Sequence, residues 1–181
     1  MDAESHFNHS ILRERIVEHV FVGDALRELW CLGVTDVEVL RSEFDAFGYD
    51  LVMARGAIVR HIQLKTGTQK RPSMVSLSRA LAEKPSGCVI WIRLGPNLEM
   101  GPYFWFGSSQ GQPLPSLADY RNSKRVTANQ LGIRPIRKNH FDVPGKAFSP
   151  RETLREILHD LFGELTPNAP GEATPISSQS E

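Results

Sequence analysis

The sequence has few cysteines, no long apolar run and no excess of either charge. Cys31 and Cys88 lie far apart in separate apolar runs, which favours buried thiols over a disulfide or a metal pair. No apolar run approaches the roughly 20 residues that a membrane helix needs. The first ten residues also lack the basic-then-apolar pattern of a signal peptide. We therefore expect a cytoplasmic protein without a membrane segment.

Several motifs of large enzyme classes are also missing. The chain has no zinc-ligand spacing, no Walker phosphate loop, no Gly-x-Ser-x-Gly and no internal repeat. Its 181 residues are 40% hydrophobic and 23% charged, which is ordinary for a globular domain. We expect one domain over residues 1–163 and a disordered tail over residues 164–181, where Pro, Ser, Thr and Gly predominate.

The formal net charge is zero, but the charges are segregated along the chain. Residues 51–150 hold 15 Lys/Arg against 4 Asp/Glu, whereas residues 1–50 hold 4 against 11. A basic segment beside an acidic one suits a phosphate-binding surface around a carboxylate site. Opposite charges that merely interleave on the folded surface would give the same segregation, and both interpretations stay open.

Three strand-like runs between residues 37 and 65 carry the main functional signal. They are Val37–Leu40, Tyr49–Ala54 and Ile58–Lys65, and Gly56 lies where a hairpin turn would join the last two. A turn there places Asp50 across from Ile62 or Gln63. Because strand side chains alternate between faces, Gln63 and Lys65 share one face.

These three polar groups have a chemical use together. A carboxylate from Asp50 and an amide oxygen from Gln63 suit a hard cation such as Mg²⁺, which prefers oxygen ligands. The amine of Lys65 could hold an attacking water or offset charge on a phosphate. The set predicts phosphodiester hydrolysis, and the alternative is an ordinary solvated strand face.

The spacing from Gly48-Tyr49-Asp50-Leu51 to Ile62-Gln63-Leu64-Lys65 resembles the PD-(D/E)XK nuclease superfamily, the fold of restriction endonucleases and many repair nucleases. The resemblance implies Asp50 as the first acidic position and Gln63-Leu64-Lys65 in place of the (D/E)-x-K tripeptide. It is closest to branches that carry Gln there, and the PSGCVIWIRL and GPYFWFG stretches resemble small bacterial proteins of this type. Since Gln63 brings no charge, the departure weakens the expected metal site.

A long helix is predicted from about Ile11 to Leu32. Glu18 falls near the middle of its apolar arc, where a carboxylate is costly without a partner or a metal. In the superfamily a helix Glu ahead of the first strand often joins the metal ligands, and Glu18 matches that position, with Glu14 in reserve. An ion pair with Arg15 or with a neighbouring strand residue is the alternative.

Other polar residues near this region are weaker candidates. Glu43 and Asp45 could supply the charge that Gln63 lacks, or they are plain loop carboxylates. His61 shares the strand face of Gln63 and could contact a phosphate. The candidates for phosphate binding lie in the loop after Lys65 and in the basic stretch 121–138, and a solvated connector is the alternative for the loop. They are Lys70, Arg71, Lys124 and Arg125.

Downstream patterns complete the expected α/β fold. A helix over Ser73–Lys84 and a buried strand over Cys88–Leu94 would give the order α-β-β-β-α-β over residues 10–94. The resemblance implies this order, which is that of the restriction endonuclease-like three-layer core with a mixed sheet flanked by helices. An aromatic strand, Pro102–Gly107, should pair antiparallel with Cys88–Leu94 and serve as core cover rather than a base-stacking surface. An extra C-terminal strand near Ile133–Ile136 and a final helix capped by Ser149 should follow.

These patterns predict a metal-dependent nuclease that acts on DNA with Mg²⁺ or Mn²⁺. Symmetric cutting of a duplex would favour a homodimer. Two alternatives remain, a catalytically inactive nucleic-acid-binding module on the same fold and an interaction protein that dimerises through the aromatic strand. The predicted catalytic residues are Asp50, Gln63, Lys65 and Glu18, and the predicted metal ligands are Asp50, Gln63 and Glu18.

Overall fold

The fold consists of nine strands and three α-helices within residues 9–41, 47–124, 127 and 132–167, which the computed structural model describes. A short 3-10 turn over Gly145–Ala147 precedes the last strand. In chain order the elements are α1 (Ser10–Cys31), β1 (Val37–Arg41), β2 (Leu51–Arg55), β3 (Ile58–Gly67), β4 (Met74–Ser78), α2 (Arg79–Ala82), β5 (Gly87–Leu94), β6 (Met100–Gly107), β7 (Asn122–Lys124), β8 (Ile136–Pro144), β9 (Ser149–Arg151) and α3 (Leu154–Phe162).

The central layer is a six-stranded sheet of order β1-β2-β3-β5-β6-β9. Strands β1, β2 and β3 form an antiparallel meander, β3 and β5 are parallel, and β6 is antiparallel to both β5 and β9. A second sheet of three strands has the order β4-β8-β7. The predicted α/β class, with a mixed sheet flanked by helices, is confirmed.

Two apolar cores lie on opposite faces of the large sheet. On one face the sheet packs against α1 and α3, with Phe21, Leu29 and Ile157 fully or almost fully buried. On the other face Trp91 and Phe106 pack with side chains of the smaller sheet and of the loop before β7. The molecule therefore has three layers, and the third contains a small sheet as well as a short helix.

The predicted hairpin between β2 and β3 is confirmed. Gly56 has φ +55°, a backbone conformation that favours glycine. The register pairs Arg55 with Ile58 and Leu51 with Ile62, which places Asp50 just beyond the last pair. Gly33 also has positive φ, +73°, just after α1, which ends at Cys31 close to the predicted end at Leu32.

Two helix predictions were wrong in their boundaries. Residues Met74–Ser78 form β4 rather than the first half of a helix, and only Arg79–Ala82 is helical. In β4 buried and less buried positions alternate, and the strand pairs with β8, a partner distant in sequence. The last helix begins after Thr153, whose side chain forms a capping box with Glu156, whereas Ser149 lies in β9.

The aromatic strand and the start of the predicted tail belong to the folded core. Strand β6 lies between β5 and β9, and Phe104, Trp105 and Phe106 are buried, so the prediction of core cover is confirmed. Arg55 donates hydrogen bonds to the backbone carbonyls of Glu164 and Thr166. Glu164 and Thr166 are thus hydrogen-bonded to β2, while residues 168–181 lie outside the described part and the predicted tail boundary stays a prediction.

No helix in the described ranges is long and apolar enough to cross a membrane.

A fully buried arginine, which the sequence patterns did not reveal, ties β3 to α3. Arg60 donates to the carbonyls of Asp160 and Leu161 in the last turn of α3 at 2.6 and 2.9 Å. It also donates to the carbonyls of Ser108 and Ser109 and to the hydroxyl of Ser86. A cation near a helix C-terminus interacts favourably with the helix dipole. Arg60 therefore fixes the position of β3 against two distant segments.

Replacing this arginine should cost much of the stability of the fold. In Arg60→Met the five oxygen acceptors lose their donor in a dry environment, so we expect the unfolding free energy to fall by about 3 kcal/mol or more. Urea unfolding followed by circular dichroism measures the loss. Arg137→Met is the matched control, because Arg137 is exposed and should change stability by no more than about 0.5 kcal/mol. A loss below about 1 kcal/mol for Arg60→Met would contradict the assigned role.

Candidate functional site

The candidate site lies at the start of β2, where the longer strand β3 continues past it. The β2–β3 pairing stops at Leu51 and Ile62, but β3 continues to Gly67 with β5 alone beside it among the described strands. This difference in length leaves one edge of β3 open from Gln63 onward. Asp50, which directly precedes β2, lies at the same opening.

A cleft of about 380 Å³ occupies this opening. The N-terminal half of α1 forms one wall, and the exposed end of β3 forms the other. The lining residues are Ile11, Arg13, Glu14, Arg15, Val17, Glu18, Asp50, Gln63, Leu64, Lys65 and Thr66. The structure thus brings the four predicted catalytic residues, and Glu14, into one cleft, while their catalytic roles stay a prediction.

The carboxylate of Asp50 is oriented by the backbone of β3. The Leu64 amide donates to its Oδ2 at 2.6 Å, and the Asp50 amide donates to the Ile62 carbonyl at 2.9 Å. Leu64 has no β2 residue opposite it, so the side chain of Asp50 takes the place of the missing strand partner. The carboxylate is therefore held at a defined position beside the strand that carries Gln63 and Lys65.

Two buried oxygens in the cleft walls accept no hydrogen bond. Glu18 and Gln63 are 6% and 7% exposed, and one oxygen of each, Oε1, has no hydrogen-bond partner. A buried polar atom left in this state costs about 1–3 kcal/mol. Because both side chains line the same cleft, a bound cation or its water would satisfy both oxygens.

Glu18 also makes the ion pair that was the alternative to a metal role. Its Oε2 accepts from Arg15 Nη1 at 3.0 Å, and its Oε1 lies 3.5 Å from Arg41 Nε at the end of β1. Arg41 in turn lies 2.6 Å from the Nε2 atom of His19. The carboxylate is thus buried in the cleft wall and paired with arginines at the same time.

The oxygen ligands of the cleft suit a hard cation that keeps several waters better than a metal ion that is coordinated by protein side chains alone. No group of three or more His, Cys, Asp or Glu side chains in the described ranges is arranged to hold a metal ion. The cleft instead offers the carboxylates of Asp50 and Glu18 and the amide oxygen of Gln63, and the latter two each include an unsatisfied oxygen. Mg²⁺ keeps several waters and needs few protein oxygens, so these residues fit such an ion.

His61 lies outside the cleft. Its ring contacts the edge of Tyr49 with a centroid distance of 5.0 Å. The ammonium of Lys84 lies over Phe47 at 4.7 Å and over Tyr49 at 5.4 Å. Burial lowers the pKa of His61, and the positive charge of Lys84 lowers it further, so the ring is neutral at neutral pH.

The predicted phosphate-binding residues also lie away from the cleft lining. Lys70 and Arg71 are exposed in the connection from β3 to β4, and the Arg71 guanidinium lies over Phe104. Lys124 is exposed at the end of β7 in the smaller sheet. Three candidates, Glu43, Asp45 and Arg125, fall outside the described residues.

Two cleft arginines were missed as site residues. Arg13 and Arg15 line the cleft on the same helix as Glu14 and Glu18. Both arginines lie within one helical turn of Glu14 or Glu18, and this spacing could have identified them as neighbours of the site. They were missed because the helix periodicity places them on or near the solvent-exposed side of α1. With Lys65 they give the cleft positive groups that favour an anionic ligand.

Comparison with known proteins leaves the family of the chain open. No protein-family model matches the chain, and no curated protein sequence matches it either. Among solved structures it is similar to a Holliday junction resolvase from the hyperthermophilic archaeon Archaeoglobus fulgidus, with 14% identity and a TM-score of 0.40. The match covers 75% of this chain and 97% of that chain. A likeness this distant assigns neither a family nor an activity.

A divalent cation should bind at the cleft through Asp50. Mn²⁺ titration followed by electron paramagnetic resonance measures the bound fraction without any substrate. In Asp50→Ala the cleft loses an anionic oxygen, so we expect the affinity for Mn²⁺ to fall at least about tenfold. The matched control is Asp119→Ala, which removes an exposed carboxylate outside the cleft. Equal Mn²⁺ binding by wild type and Asp50→Ala would contradict a metal site here.

Proposed function

We propose that the chain is a metal-dependent nuclease that hydrolyses phosphodiester bonds in DNA. The observation that supports this function is the gathering of Asp50, Gln63, Lys65 and Glu18 in one cleft, where one oxygen each of Gln63 and Glu18 accepts no hydrogen bond. Carboxylate and amide oxygens can hold a hard cation, and an ammonium group can offset charge on a phosphate, so the cleft carries groups that suit metal-assisted phosphate hydrolysis. The cleft also carries the positive groups that attract a phosphate backbone.

Each residue has a role that follows from its position. Asp50, Glu18 and Gln63 would hold Mg²⁺ or Mn²⁺ through their oxygens. The bound ion would supply Lewis acidity toward a phosphate and toward water. Lys65, on the same strand as Gln63, would hold the attacking water or offset the charge that builds on the phosphate.

The arginines of α1 would act on the substrate rather than on the cation. Arg13 and Arg15 line the wall opposite β3 and can offer several N–H donors to phosphate oxygens. Arg15 is paired with Glu18 at 3.0 Å, so a phosphate that binds Arg15 would also release the carboxylate of Glu18. Substrate and cation would then enter the cleft together.

A catalytically inactive nucleic-acid-binding module is the second candidate. Gln63 removes one anionic ligand, and Glu18 is partly neutralised by Arg15 and Arg41. Such a module would bind nucleic acid through Lys70, Arg71 and the basic stretch 121–138, and its binding would weaken as salt rises. It would show no turnover with any divalent cation.

The third candidate is an interaction protein that dimerises through the aromatic strand, but this strand is not available as a dimer interface. Strand β6 is covered on both edges and its aromatic side chains are buried. A homodimer would need another surface, and the outer side of α1 exposes a row of apolar side chains. These are Leu12, Ile16, Val20, Leu26 and Trp30.

Cleavage should depend on two of the charged residues of the cleft, Asp50 and Lys65. Plasmid, linear duplex and single-stranded DNA are incubated with Mg²⁺ or Mn²⁺, and with EDTA as the metal-free control. We expect cleavage to fall about a hundredfold or more from the wild-type rate in Asp50→Ala, which removes a cation ligand, and in Lys65→Ala, which removes a positive charge beside the phosphate. Lys146→Ala, an exposed lysine outside the cleft, should cleave at the wild-type rate. Unchanged cleavage in both cleft variants would end the catalytic assignment.

Restoring an acid at Gln63 separates the two leading functions. In Gln63→Glu a further carboxylate enters the cleft, and we expect Mn²⁺ affinity to rise roughly tenfold because ligand charge raises the affinity for a hard cation. Isothermal titration calorimetry measures this change. If only Gln63→Glu cleaves DNA while the wild type is inert, the chain is the binding module. If Gln63→Glu binds Mn²⁺ no better than the wild type, Gln63 is not a ligand position.

A further inference from the structure

Beyond the end of β4, the smaller sheet continues with two strands only, β7 and β8, which pair at Ser123 with Arg137 and at Lys124 with Ile136. Strand β8 spans Ile136–Pro144, but β4 pairs only with its second half, from His140 to Pro144. Among the described strands, β7 alone lies beside the first four residues, 136–139, and all four are exposed. We call residues 121–124 and 132–140 the basic ribbon.

The basic ribbon concentrates positive charge. Residues 121–140 contain six Lys/Arg and no Asp/Glu. Within the described part, salt bridges to carboxylates are made by one of these cations, Arg121, which lies 3.6 Å from Asp142. Four exposed cations of the ribbon therefore form no salt bridge with a carboxylate among the described residues. They are Lys124, Arg134, Arg137 and Lys138.

Buried polar contacts fix the base of the ribbon. Ser123 is 2% exposed and donates to Asp142 Oδ1 at 2.6 Å, while its oxygen lies 2.8 Å from the hydroxyl of Ser76 on β4. Asn122 Nδ2 donates to the carbonyls of Lys138 and His140 at 3.0 and 3.3 Å. The cations are thus presented by a braced element, which reduces the entropic cost of binding.

The base of the ribbon also lies next to the loop that carries Asp50. His140, where the ribbon leaves β4, pairs with Ser78. Ser78 in turn packs against Gly48, so closely that an added Cβ on Gly48 would lie 2.5 Å from the Cβ of Ser78. Gly48 is two residues before Asp50. A ligand bound along the basic ribbon and reaching His140 would therefore come close to the loop that carries Asp50.

We propose that the basic ribbon binds double-stranded DNA by entering the major groove, with its cations on the flanking phosphates. The major groove of B-form DNA, about 12 Å wide, admits a two-stranded β-ribbon. Ile133 and Ile136 are 60% and 61% exposed, and apolar side chains of this kind contact thymine methyl groups in that groove. The deep, narrow major groove of an RNA duplex excludes side chains, so the ribbon selects DNA.

This inference deepens the proposed nuclease function and rests on it, because it names the substrate as duplex DNA and the element that holds it. Its test is a binding measurement in EDTA, where no metal-dependent cleavage can occur. Fluorescence anisotropy of a labelled DNA duplex of about 24 base pairs is recorded over a range of salt concentrations. The full chain is used throughout, with single-stranded DNA and an RNA duplex of the same sequence as competitors.

The variant Lys124→Gln/Arg134→Gln/Arg137→Gln/Lys138→Gln removes the four exposed cations. We expect at least about tenfold weaker binding at low salt, and a salt slope reduced by about 0.9 for each phosphate that the variant no longer neutralises. The matched control, Arg27→Gln/Arg79→Gln/Lys146→Gln/Arg155→Gln, removes the same charge from other exposed positions and should bind within about threefold of the wild type. If the fourfold ribbon variant does not fold, Lys124→Gln/Lys138→Gln should show about half of the slope change.

Equal losses of affinity in the ribbon and control variants would overturn the proposal, because only net charge would then matter. Wild-type binding to single-stranded DNA or to the RNA duplex at least as tight as to duplex DNA would also overturn it, as would a lack of duplex binding by the wild type. The result is separable from catalysis. Ribbon-dependent duplex binding without cleavage would support the ribbon and end the nuclease assignment, and cleavage with ribbon-independent binding would do the reverse.

Discussion

The unequal lengths of β2 and β3 are the constraint on which the site depends. Strand β3 pairs with β5 over His61–Gly67, whereas its pairing with β2 covers only Ile58–Ile62, because β2 begins at Leu51. The backbone groups of β3 beyond Ile62 therefore lack a strand neighbour on one side, and Asp50 satisfies the Leu64 amide with its side chain. The need of the Leu64 amide for a hydrogen-bond acceptor thereby places a carboxylate at the opening beside β3. The cleft forms there because α1, which carries Glu18, makes its other wall.

The opposite end of β3 is anchored by Arg60. Its guanidinium gathers carbonyls from α3 and from the loop after β6, which are separated from it by long stretches of chain. Because the side chain is held by five acceptors, β3 cannot slide against β5 or shift in register without breaking these hydrogen bonds. The positions of Gln63 and Lys65, three and five residues further on, are set by this anchor.

Local chemistry made part of this arrangement predictable, and long-range contacts hid the rest. Alternating apolar residues and the positive-φ position of Gly56 were sufficient for the β2–β3 hairpin and for Asp50 at its end. Strand β4 was mistaken for a helix because its partner β8 lies far along the chain, and no local signal reveals that pairing. Arg60 was missed for the same reason, since its acceptors meet only in the folded state. Glu18 was predictable because a carboxylate on an apolar arc contradicts its own helix pattern.

Strand β3 carries both satisfied and unsatisfied buried polar groups, and of the latter His61 Nδ1 lies outside the cleft whereas Gln63 Oε1 belongs to a cleft residue. Arg60 is completely buried and donates to five oxygens, yet Gln63, three residues away, keeps one oxygen without a hydrogen-bond partner, and Glu18 keeps another across the cleft. Natural folds rarely leave such atoms unpaired, because each costs about 1–3 kcal/mol. Glu18 has ion pairs with Arg15 and Arg41 beside it, whereas an apolar residue in place of Gln63 would avoid the cost of its buried oxygen. Because Gln63 lines the same cleft as Asp50 and Lys65, a ligand bound there would supply the missing partner.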